Sequence, residues 1–272
     1  MQIRAYAKVN LGLAVTNKRA DGFHDIDTIF ALVDLFDTLR IESFPSNKIY
    51  LSVRGANLAT NEDNLVYKAA QSYLEAANET RGVTIELEKN IPISAGLGGG
   101  SSDAAATLKA LSRIYPSNLD LNKIALGLGS DVAFFLSTFK AARARARGEL
   151  LDEIELKKQS ILLVNPNIAV SAKDAYQNLE GLDNKLKINK IIKQLNNYEI
   201  PEYYNSLQPG VLRLEPKIAE LLEVLNQNLS GVLMSGSGST CFGLGSANDI
   251  GLARAKLEKI YPKYWFKSVE TL

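Results

Sequence analysis

A glycine-rich stretch that leads into a helical pattern is the feature of this sequence best suited to chemistry. It consists of Pro92, Ile93, Ser94, Ala95, Gly96, Leu97, Gly98, Gly99, Gly100, Ser101 and Ser102. Glycine lets the backbone approach a ligand closely, and the first turn of a helix presents free N–H groups with partial positive charge. This combination is typical of a phosphate site. A tight turn without any ligand would have a similar composition.

Two common phosphate-binding motifs do not fit this stretch. A P-loop requires a lysine before its serine or threonine, and residues 92–102 contain none. The dinucleotide-binding pattern requires a third glycine where this sequence has Ser101. The hydroxyls of Ser101 and Ser102 can bond a phosphate or a metal ion, and with Asp103 they are predicted to cap the following helix. We therefore expect a phosphate loop of another kind.

Lys8, Asn10 and Asp131 have the residue types that phosphoryl transfer needs. Lys8 and Asn10 share one face of an apolar strand, which is also what a solvated strand edge would show. Asp131 precedes the apolar residues 132–136, where it could cap a helix, form a buried ion pair or act in catalysis. A carboxylate beside a lysine can orient an attacking hydroxyl and neutralise developing charge.

The rare residue types and the charge balance exclude several classes of protein. Cys241 is the only cysteine and His24 the only histidine, which excludes an internal disulfide and Cys/His zinc sites. The 31 Lys and Arg residues oppose 30 Asp and Glu residues, so no global charge attracts nucleic acid or an anionic membrane. No apolar run approaches the ~20 residues of a membrane span. We expect a soluble, cytoplasmic protein with a small-molecule substrate, present as a monomer or weak homodimer.

The elements that must position these residues form a strand-rich first half and a helix-rich second half. Strands are predicted at 2–15, 26–33, 38–43, 49–53, 83–87, 161–164, 232–234, 241–244 and 264–269. Helices are predicted at 65–74, 105–114, 171–180, 185–196, 215–228 and 248–260. This order favours an α+β fold with two lobes, which we divide into domains 1–155 and 156–272.

Several motifs in a fixed order resemble those of the GHMP small-molecule kinases. Residues 7–11, 92–102 and 236–238 are similar to the three motifs of that superfamily. Residues 19–24, 27–30, 62–65, 128–132 and 205–207 are similar to segments of its branch that phosphorylates 4-diphosphocytidyl-2-C-methyl-D-erythritol. Because the likeness runs in order from residue 5 to beyond residue 245, it is far more specific than any single motif.

The resemblance assigns roles in phosphoryl transfer. It implies a two-lobed GHMP kinase fold with the active site in the inter-lobe cleft, where residues 92–102 bind the phosphates of ATP and Mg²⁺ bridges them. Lys8 and Asp131 match the catalytic positions, and Asn10 matches a substrate contact. Asp131 is expected to take the proton of the 2-hydroxyl group, while Lys8 holds Asp131 and stabilises the transferring phosphoryl group. The turn at 235–239 would close the lower side of the cleft, unless it is a simple hairpin turn.

The resemblance also assigns a cytosine site. Phe23 stands where the family usually has a tyrosine that stacks on the base, so stacking should survive. His24 matches the residue that reads the edge of the base, and Tyr176 matches a second aromatic near it. Without the resemblance, His24 would be predicted on a surface loop, and the two aromatic rings would be predicted to pack in the core.

The sequence departs from the family at several positions. Ala133 replaces a common proline, Ser206 replaces an aspartate, and Ala146 replaces a glycine. If position 146 requires a positive φ, alanine there costs stability. The alternating arginines nearby are predicted to form a solvated basic face rather than a phosphate contact; they are Arg143, Arg145 and Arg147.

Two other functions stay open. A GHMP kinase for another alcohol, such as mevalonate or homoserine, would share the three superfamily motifs, but residues 21–24 argue against it because it has no pyrimidine to read. A nucleotide-binding protein without activity would share the glycine-rich stretch. The presence of Lys8 and Asp131, with both hydroxyls of Ser101 and Ser102, argues against that alternative.

Overall fold

The computed structural model describes residues 1–182 and 185–272 of the chain. The strands are β1 (Gln2–Lys18), β2 (His24–Phe44), β3 (Ile49–Arg54), β4 (Gly82–Glu88), β5 (Ala141–Ala146), β6 (Leu150–Glu153), β7 (Ser160–Asn165), β8 (Ser230–Met234), β9 (Cys241–Leu244) and β10 (Trp265–Glu270). The helices are α1 (Leu65–Ala76), α2 (Gly99–Ile114), α3 (Leu121–Leu128), α4 (Val132–Leu136), α5 (Ala172–Gln177), α6 (Ile188–Asn196), α7 (Gln208–Leu214), α8 (Pro216–Asn226) and α9 (Ala247–Ile260). Within these residues, no helix has the length and apolar character that crossing a membrane requires.

The chain divides into two compact units, each built from several stretches of sequence. The first unit comprises Met1–Ala7, Leu35–Ile93 and Gly98–Thr138. The second unit comprises Lys8–Asp34, Ser94–Leu97 and Phe139–Leu272. β1, β2 and the glycine-rich stretch therefore each contribute residues to both units. The predicted domain boundary at residue 155 stays a prediction.

The first unit combines a small sheet with α1 to α4. In the sheet, β4 pairs antiparallel with residues 38–44 of β2 and parallel with β3. Leu39, Ile41, Ile85 and Leu87 are buried, because alternate residues of a strand point to the same face. α1 packs against α2, and α2 also packs against α3 and α4. The helix that follows the glycine-rich stretch is thus fixed along its length by three others.

The second unit contains two groups of paired strands. Residues 26–31 of β2 pair antiparallel with β5, which pairs antiparallel with β6. In the other group β7 lies between β10 and β9, and β9 pairs with β8, all antiparallel. An apolar core packs side chains of these strands against α8 and α9; it includes Leu162, Val164, Met234, Ile218, Leu221, Leu225, Ala253 and Leu257. This core fixes β8 and β9, and hence the glycine-containing turn between them.

The largest difference from the prediction is β2, which is one strand where two were expected. Asp34 and Asp37 interrupt the apolar pattern of this strand. Asp37 is nevertheless fully buried, because the Lys89 side chain and the backbone N–H groups of Asn90 and Ile91 donate to its carboxylate. A buried aspartate that is fully paired does not end a strand.

Four helices also differ from the prediction, since α3, α4 and α7 were not predicted and α2 begins earlier than expected. α2 begins at Gly99, with Gly98 at its N-cap, so Ser101, Ser102 and Asp103 lie inside the helix rather than capping it. α7 was not predicted, because Pro209 and Gly210 are poor helix formers. Proline is tolerated in the first turn of a helix. The other predicted helices and strands are confirmed, with ends shifted by a few residues, and they give the predicted α+β fold.

Candidate active site

The backbone of the glycine-rich stretch turns sharply before it enters α2. Gly96 and Gly98 have φ values of 72° and 70°, in the left-handed region that favours glycine. The N–H of Ser102 donates to the Gly98 carbonyl at 2.9 Å and makes the first helical hydrogen bond. The preceding N–H groups at the start of α2 point along the helix axis, and the first turn contains no acidic residue among those described. This end of α2 can therefore bind an anion through its backbone.

In the second unit, the turn between β8 and β9 packs directly on the glycine-rich stretch. The Ser235 hydroxyl donates to the Gly96 carbonyl at 3.0 Å, and the Thr240 N–H donates to the Ala95 carbonyl at 3.3 Å. A Cβ on Gly96 would overlap the Ser235 carbonyl oxygen, so only glycine permits this approach. The turn at 235–239 is therefore more than a simple hairpin turn.

Lys8 and Asn10 are buried in the second unit, with 4% and 1% of their surfaces exposed, so they do not lie on a solvated strand edge. The Lys8 side chain donates to the Asn10 amide oxygen, and its backbone N–H donates to the Leu97 carbonyl at 3.0 Å. A Cβ on Gly236 would lie 2.9 Å from Asn10 Oδ1 and 3.5 Å from Lys8 Nζ. The lysine thus lies beside both glycine-containing segments.

A chain of hydrogen bonds orients the Asn10 amide. The Asn10 amide nitrogen donates to the Thr28 hydroxyl at 2.8 Å, and that hydroxyl donates to the Gly12 carbonyl at 2.6 Å. The Asn10 backbone N–H donates to the Ser235 hydroxyl at 3.1 Å. Because Asn10 Nδ2 is thereby fixed as the donor, Oδ1 faces Lys8. Sequence reasoning missed the role of Thr28, although a threonine between apolar residues of a strand is a detectable signal.

Asp131 lies in the first unit, at the N-cap position of α4, and is half-buried. It accepts no capping hydrogen bond from α4 in the part of the chain that the structure describes. Its segment approaches α2, since a Cβ on Gly129 would lie 3.7 Å from the Ser101 hydroxyl oxygen. Within this unit, the structure therefore brings the Asp131 segment next to the start of α2.

The residues predicted to read cytosine form two ring contacts in the second unit. The rings of His24 and Tyr176 stack with centroids 5.0 Å apart, which leaves no space for a base between them. Burial, and then the charge of Lys18, lower the pKa of His24, so its imidazole is neutral at pH 7. Phe23 is 49% exposed, and the Arg147 guanidinium lies 4.2 Å from the centroid of its ring. Phe23 is therefore not a core residue, whereas Tyr176 is partly buried and packs against the apolar core of the second unit, as the alternative prediction had it.

The predicted solvated basic face is confirmed for Arg143 and Arg145, whose side chains are 37% and 47% exposed, although all three arginines also make specific contacts. Arg143 donates two hydrogen bonds, of 2.9 and 2.7 Å, to Asp27, because the two residues lie on neighbouring strands. Arg145 pairs with Asp152 at the exposed surface, and Arg147 covers Phe23.

The departures at positions 146 and 206 have clear structural consequences. Ala146 has φ 58°, so the expected strain of alanine at that position is present. The Ser206 hydroxyl is buried and accepts the Val15 N–H at 2.9 Å, which satisfies both groups without an aspartate.

Comparisons with known proteins agree with one another. Residues 64–139 match the GHMP kinases N terminal domain, and residues 184–263 match the GHMP kinases C terminal domain. A protein of Deinococcus radiodurans named 4-diphosphocytidyl-2-C-methyl-D-erythritol kinase is 42% identical, over 98% of this chain and 91% of its own. A protein of the same name from Thermus thermophilus is 40% identical, over 97% of this chain and 95% of its own. A crystal structure of 4-(cytidine 5'-diphospho)-2C-methyl-D-erythritol kinase has a TM-score of 0.86 at 39% identity and covers 99% of both chains. At this identity over nearly its whole length, the chain belongs to the 4-diphosphocytidyl-2-C-methyl-D-erythritol kinase family of the GHMP kinases.

Proposed function

We infer that this protein is a small-molecule kinase that transfers a phosphoryl group from ATP to the 2-hydroxyl of 4-diphosphocytidyl-2-C-methyl-D-erythritol, in the non-mevalonate route to isoprenoid precursors. The inference follows from the family to which the chain belongs. The structural observation that carries it is the glycine-rich stretch at the start of α2. Its two left-handed glycines and the free N–H groups of the helix form a backbone site suited to phosphates.

Residues 92–102 are proposed to bind the phosphates of ATP. The β8–β9 turn supports this proposal, because Ser235 and Thr240 bond the backbone at residues 95 and 96 and hold its shape. Preformed backbone donors do not have to reorganise when charge develops on the transferring group, which is the main source of catalysis in phosphoryl transfer.

Lys8 and Asp131 are proposed as the catalytic residues. The 2-hydroxyl oxygen attacks the γ-phosphorus and gives its proton to the Asp131 carboxylate, while the bond to the β–γ bridging oxygen breaks and ADP leaves. The Lys8 ammonium stabilises the negative charge of the transferring group. Its burial supports this role, because a charge acts more strongly where water is scarce.

The residues present fit a Mg²⁺ ion that arrives with the nucleotide. In the described residues there is no group of three or more His, Cys, Asp or Glu side chains placed to hold a metal ion. Mg²⁺ commonly binds to substrate phosphates and water with only one or two carboxylates, so no such group is needed. Asp131 and Ser101 would hold the ion, because the Asp131 segment approaches the Ser101 hydroxyl. When bound, the ion would neutralise phosphate charge.

The cytidine of the substrate is proposed to bind at Phe23, His24 and Tyr176. The exposed ring of Phe23 offers a flat apolar face for the base. The stack of His24 on Tyr176 fixes the imidazole plane, and the lowered pKa of His24 keeps one ring nitrogen as an acceptor and the other as a donor. Such a pair can recognise the edge of a pyrimidine.

A coupled assay of ADP release tests the proposed function. We expect rapid turnover with 4-diphosphocytidyl-2-C-methyl-D-erythritol, poor turnover with its uridine analogue, and none with mevalonate or homoserine. Equal use of the cytidine and uridine substrates would contradict the proposed cytosine site. Turnover of mevalonate or homoserine alone would identify a kinase for another alcohol, and no turnover of any alcohol would identify a nucleotide-binding protein.

A further inference from the structure

A buried cluster of three charged side chains lies in the first unit, directly beneath the phosphate loop. Lys89, Asp37 and Asp103 are each at least nine-tenths buried. The Lys89 ammonium donates to Asp37 Oδ2 and, at 2.8 Å, to Asp103 Oδ2. Burial alone lowers the pKa of Lys89, but the Asp103 and Asp37 carboxylates outweigh it and raise that pKa, so the lysine is a cation at neutral pH.

Asp37 connects the cluster to the residues that precede the loop. Its Oδ1 accepts the N–H groups of Asn90 at 2.5 Å and Ile91 at 2.9 Å, and the next residue is Pro92, the first of the loop. One carboxylate thus bonds both the lysine and the backbone that enters the loop.

Asp103 and Gly99 connect the cluster to the helix that follows the loop. Asp103 lies in the second turn of α2 and points its carboxylate at Lys89. A Cβ on Gly99 would lie 3.2 Å from Lys89 Nζ and 3.0 Å from Ile91 Cγ2, closer than most side chains tolerate. The first residue of α2 therefore rests directly on the lysine. Asp103 Oδ1 is buried and has no hydrogen-bond partner among the described residues.

A purely stabilising purpose explains this arrangement poorly. Burying charges costs desolvation energy, and an apolar core of the same volume is often at least as stable. The unpaired Asp103 Oδ1 adds a further cost. An apolar core would lack directional hydrogen bonds. In this cluster such bonds connect the segments before and after the loop through the Lys89 ammonium group.

We propose that Lys89, Asp37 and Asp103 are positioning residues, whose ion cluster fixes the two ends of residues 92–102 so that the N–H groups of the loop are aimed at the phosphates of ATP. The proposal rests on the proposed function, since it assumes that the loop binds ATP. The three residues do not touch the reacting atoms and act through the backbone of the loop.

The test compares the affinities for the two substrates. Isothermal titration with a non-hydrolysable ATP analogue and, separately, with 4-diphosphocytidyl-2-C-methyl-D-erythritol gives both dissociation constants without turnover. Lys89→Met removes both ion pairs and keeps the length of the side chain. We expect this variant to weaken binding of the ATP analogue by about tenfold or more, as the loss of a charge-assisted hydrogen bond would. Binding of the cytidyl substrate should change by less than about twofold.

Two further variants keep the test decisive if Lys89→Met does not fold. Asp103→Ala should weaken binding of the analogue in the same way. Asp103→Asn keeps an oxygen that can accept a hydrogen bond from Lys89, so it should retain most of the affinity. Tyr73→Phe is the matched control for lost stability, because it removes a buried 2.6 Å hydrogen bond to the Tyr115 carbonyl in the same unit. It should leave both dissociation constants unchanged.

Several outcomes overturn the proposal. A folded Lys89→Met or Asp103→Ala variant with unchanged affinity for the analogue would do so. An equal loss of affinity for both ligands would show that the cluster acts through general stability alone. An equal loss of affinity for the analogue in Tyr73→Phe would show the same. These results are separate from the proposed function, because a wild-type protein that binds the analogue but does not phosphorylate the cytidyl substrate refutes the function and leaves this comparison valid.

Discussion

Replacing Gly96 by alanine tests whether the β8–β9 turn shapes the proposed phosphate loop. Gly96 has φ 72°, and a Cβ there would overlap the Ser235 carbonyl oxygen and lie 3.0 Å from both the N and O atoms of Gly238. These neighbours are backbone atoms, which cannot rotate away as a side chain can. The added methyl group must therefore move either the turn or the loop.

The cost can be worked out from two contributions. An L-residue in the left-handed region costs about 1–2 kcal/mol. Forcing an extra carbon into a closely packed site costs about 1–3 kcal/mol. We therefore expect a total of at least about 2 kcal/mol, which corresponds to about thirtyfold in a dissociation constant.

The assay must measure binding and stability together, because the strain can appear in either. If the loop relaxes when ATP is absent, ATP binding must restore the strained shape and the affinity falls. If the loop cannot relax, the free energy of unfolding falls instead. Titration with a non-hydrolysable ATP analogue measures the loss of binding free energy, and urea unfolding of the same variant measures the loss in the free energy of unfolding. The two losses together should reach at least about 2 kcal/mol.

Gly251→Ala in α9 is the matched control. A Cβ on Gly251 would meet no described atom within 4 Å, and the helical backbone accepts alanine. We expect unchanged affinity and a gain of up to about 1 kcal/mol in the free energy of unfolding. If Gly96→Ala behaves like this control in both measurements, the close contact between turn and loop does not determine the shape of the proposed phosphate site.

Three further predictions concern other parts of the molecule. Asp131→Asn should lower kcat by about 10²–10⁴ while the affinity for the ATP analogue is kept, and a near-normal kcat would refute the proton-acceptor role. Phe23→Ala should raise the KM of the cytidyl substrate about tenfold with little change in the KM of ATP, because stacking of a base contributes about 1–3 kcal/mol; an unchanged KM would remove Phe23 from the cytosine site. Ala146→Gly should raise the free energy of unfolding by up to about 1 kcal/mol in urea, since it relieves a φ of 58°. A less stable Ala146→Gly variant would show that alanine is not strained there.

The sequence predicts those parts of the molecule that depend on neighbouring residues. α2 could be predicted because its glycines and the helical spacing that follows lie together in the chain, although the helix begins at Gly99 and not after Asp103. The positive φ at position 146 could be expected because an alanine replaces a family glycine. Most strands could be located from short apolar runs.

The parts that were missed depend on contacts between distant residues. Asp37 looks like an interruption of a strand, and only Lys89, 52 positions away, explains its burial. Asn10 contacts Ser235 across 225 positions, so its orientation has no local signal. α7 was missed because it contains Gly210, and glycine is a poor helix former. The glycine is needed there for a distant contact, since a Cβ at this position would overlap the Asn178 carbonyl oxygen.

The interleaving of the two units along the chain has a consequence for synthesis on the ribosome. All residues of the first unit have been added once Thr138 is in place, but the second unit combines Lys8–Asp34 with residues up to Leu272. Leu13 N–H donates to the Tyr204 carbonyl, and Val33 forms a bridge with Thr271. At typical translation rates the early segment must wait on the order of 10–50 s for such partners. We therefore expect nascent chains to expose parts of this apolar segment to chaperones until these late partners are added, and the proposed catalytic Lys8 lies within the segment.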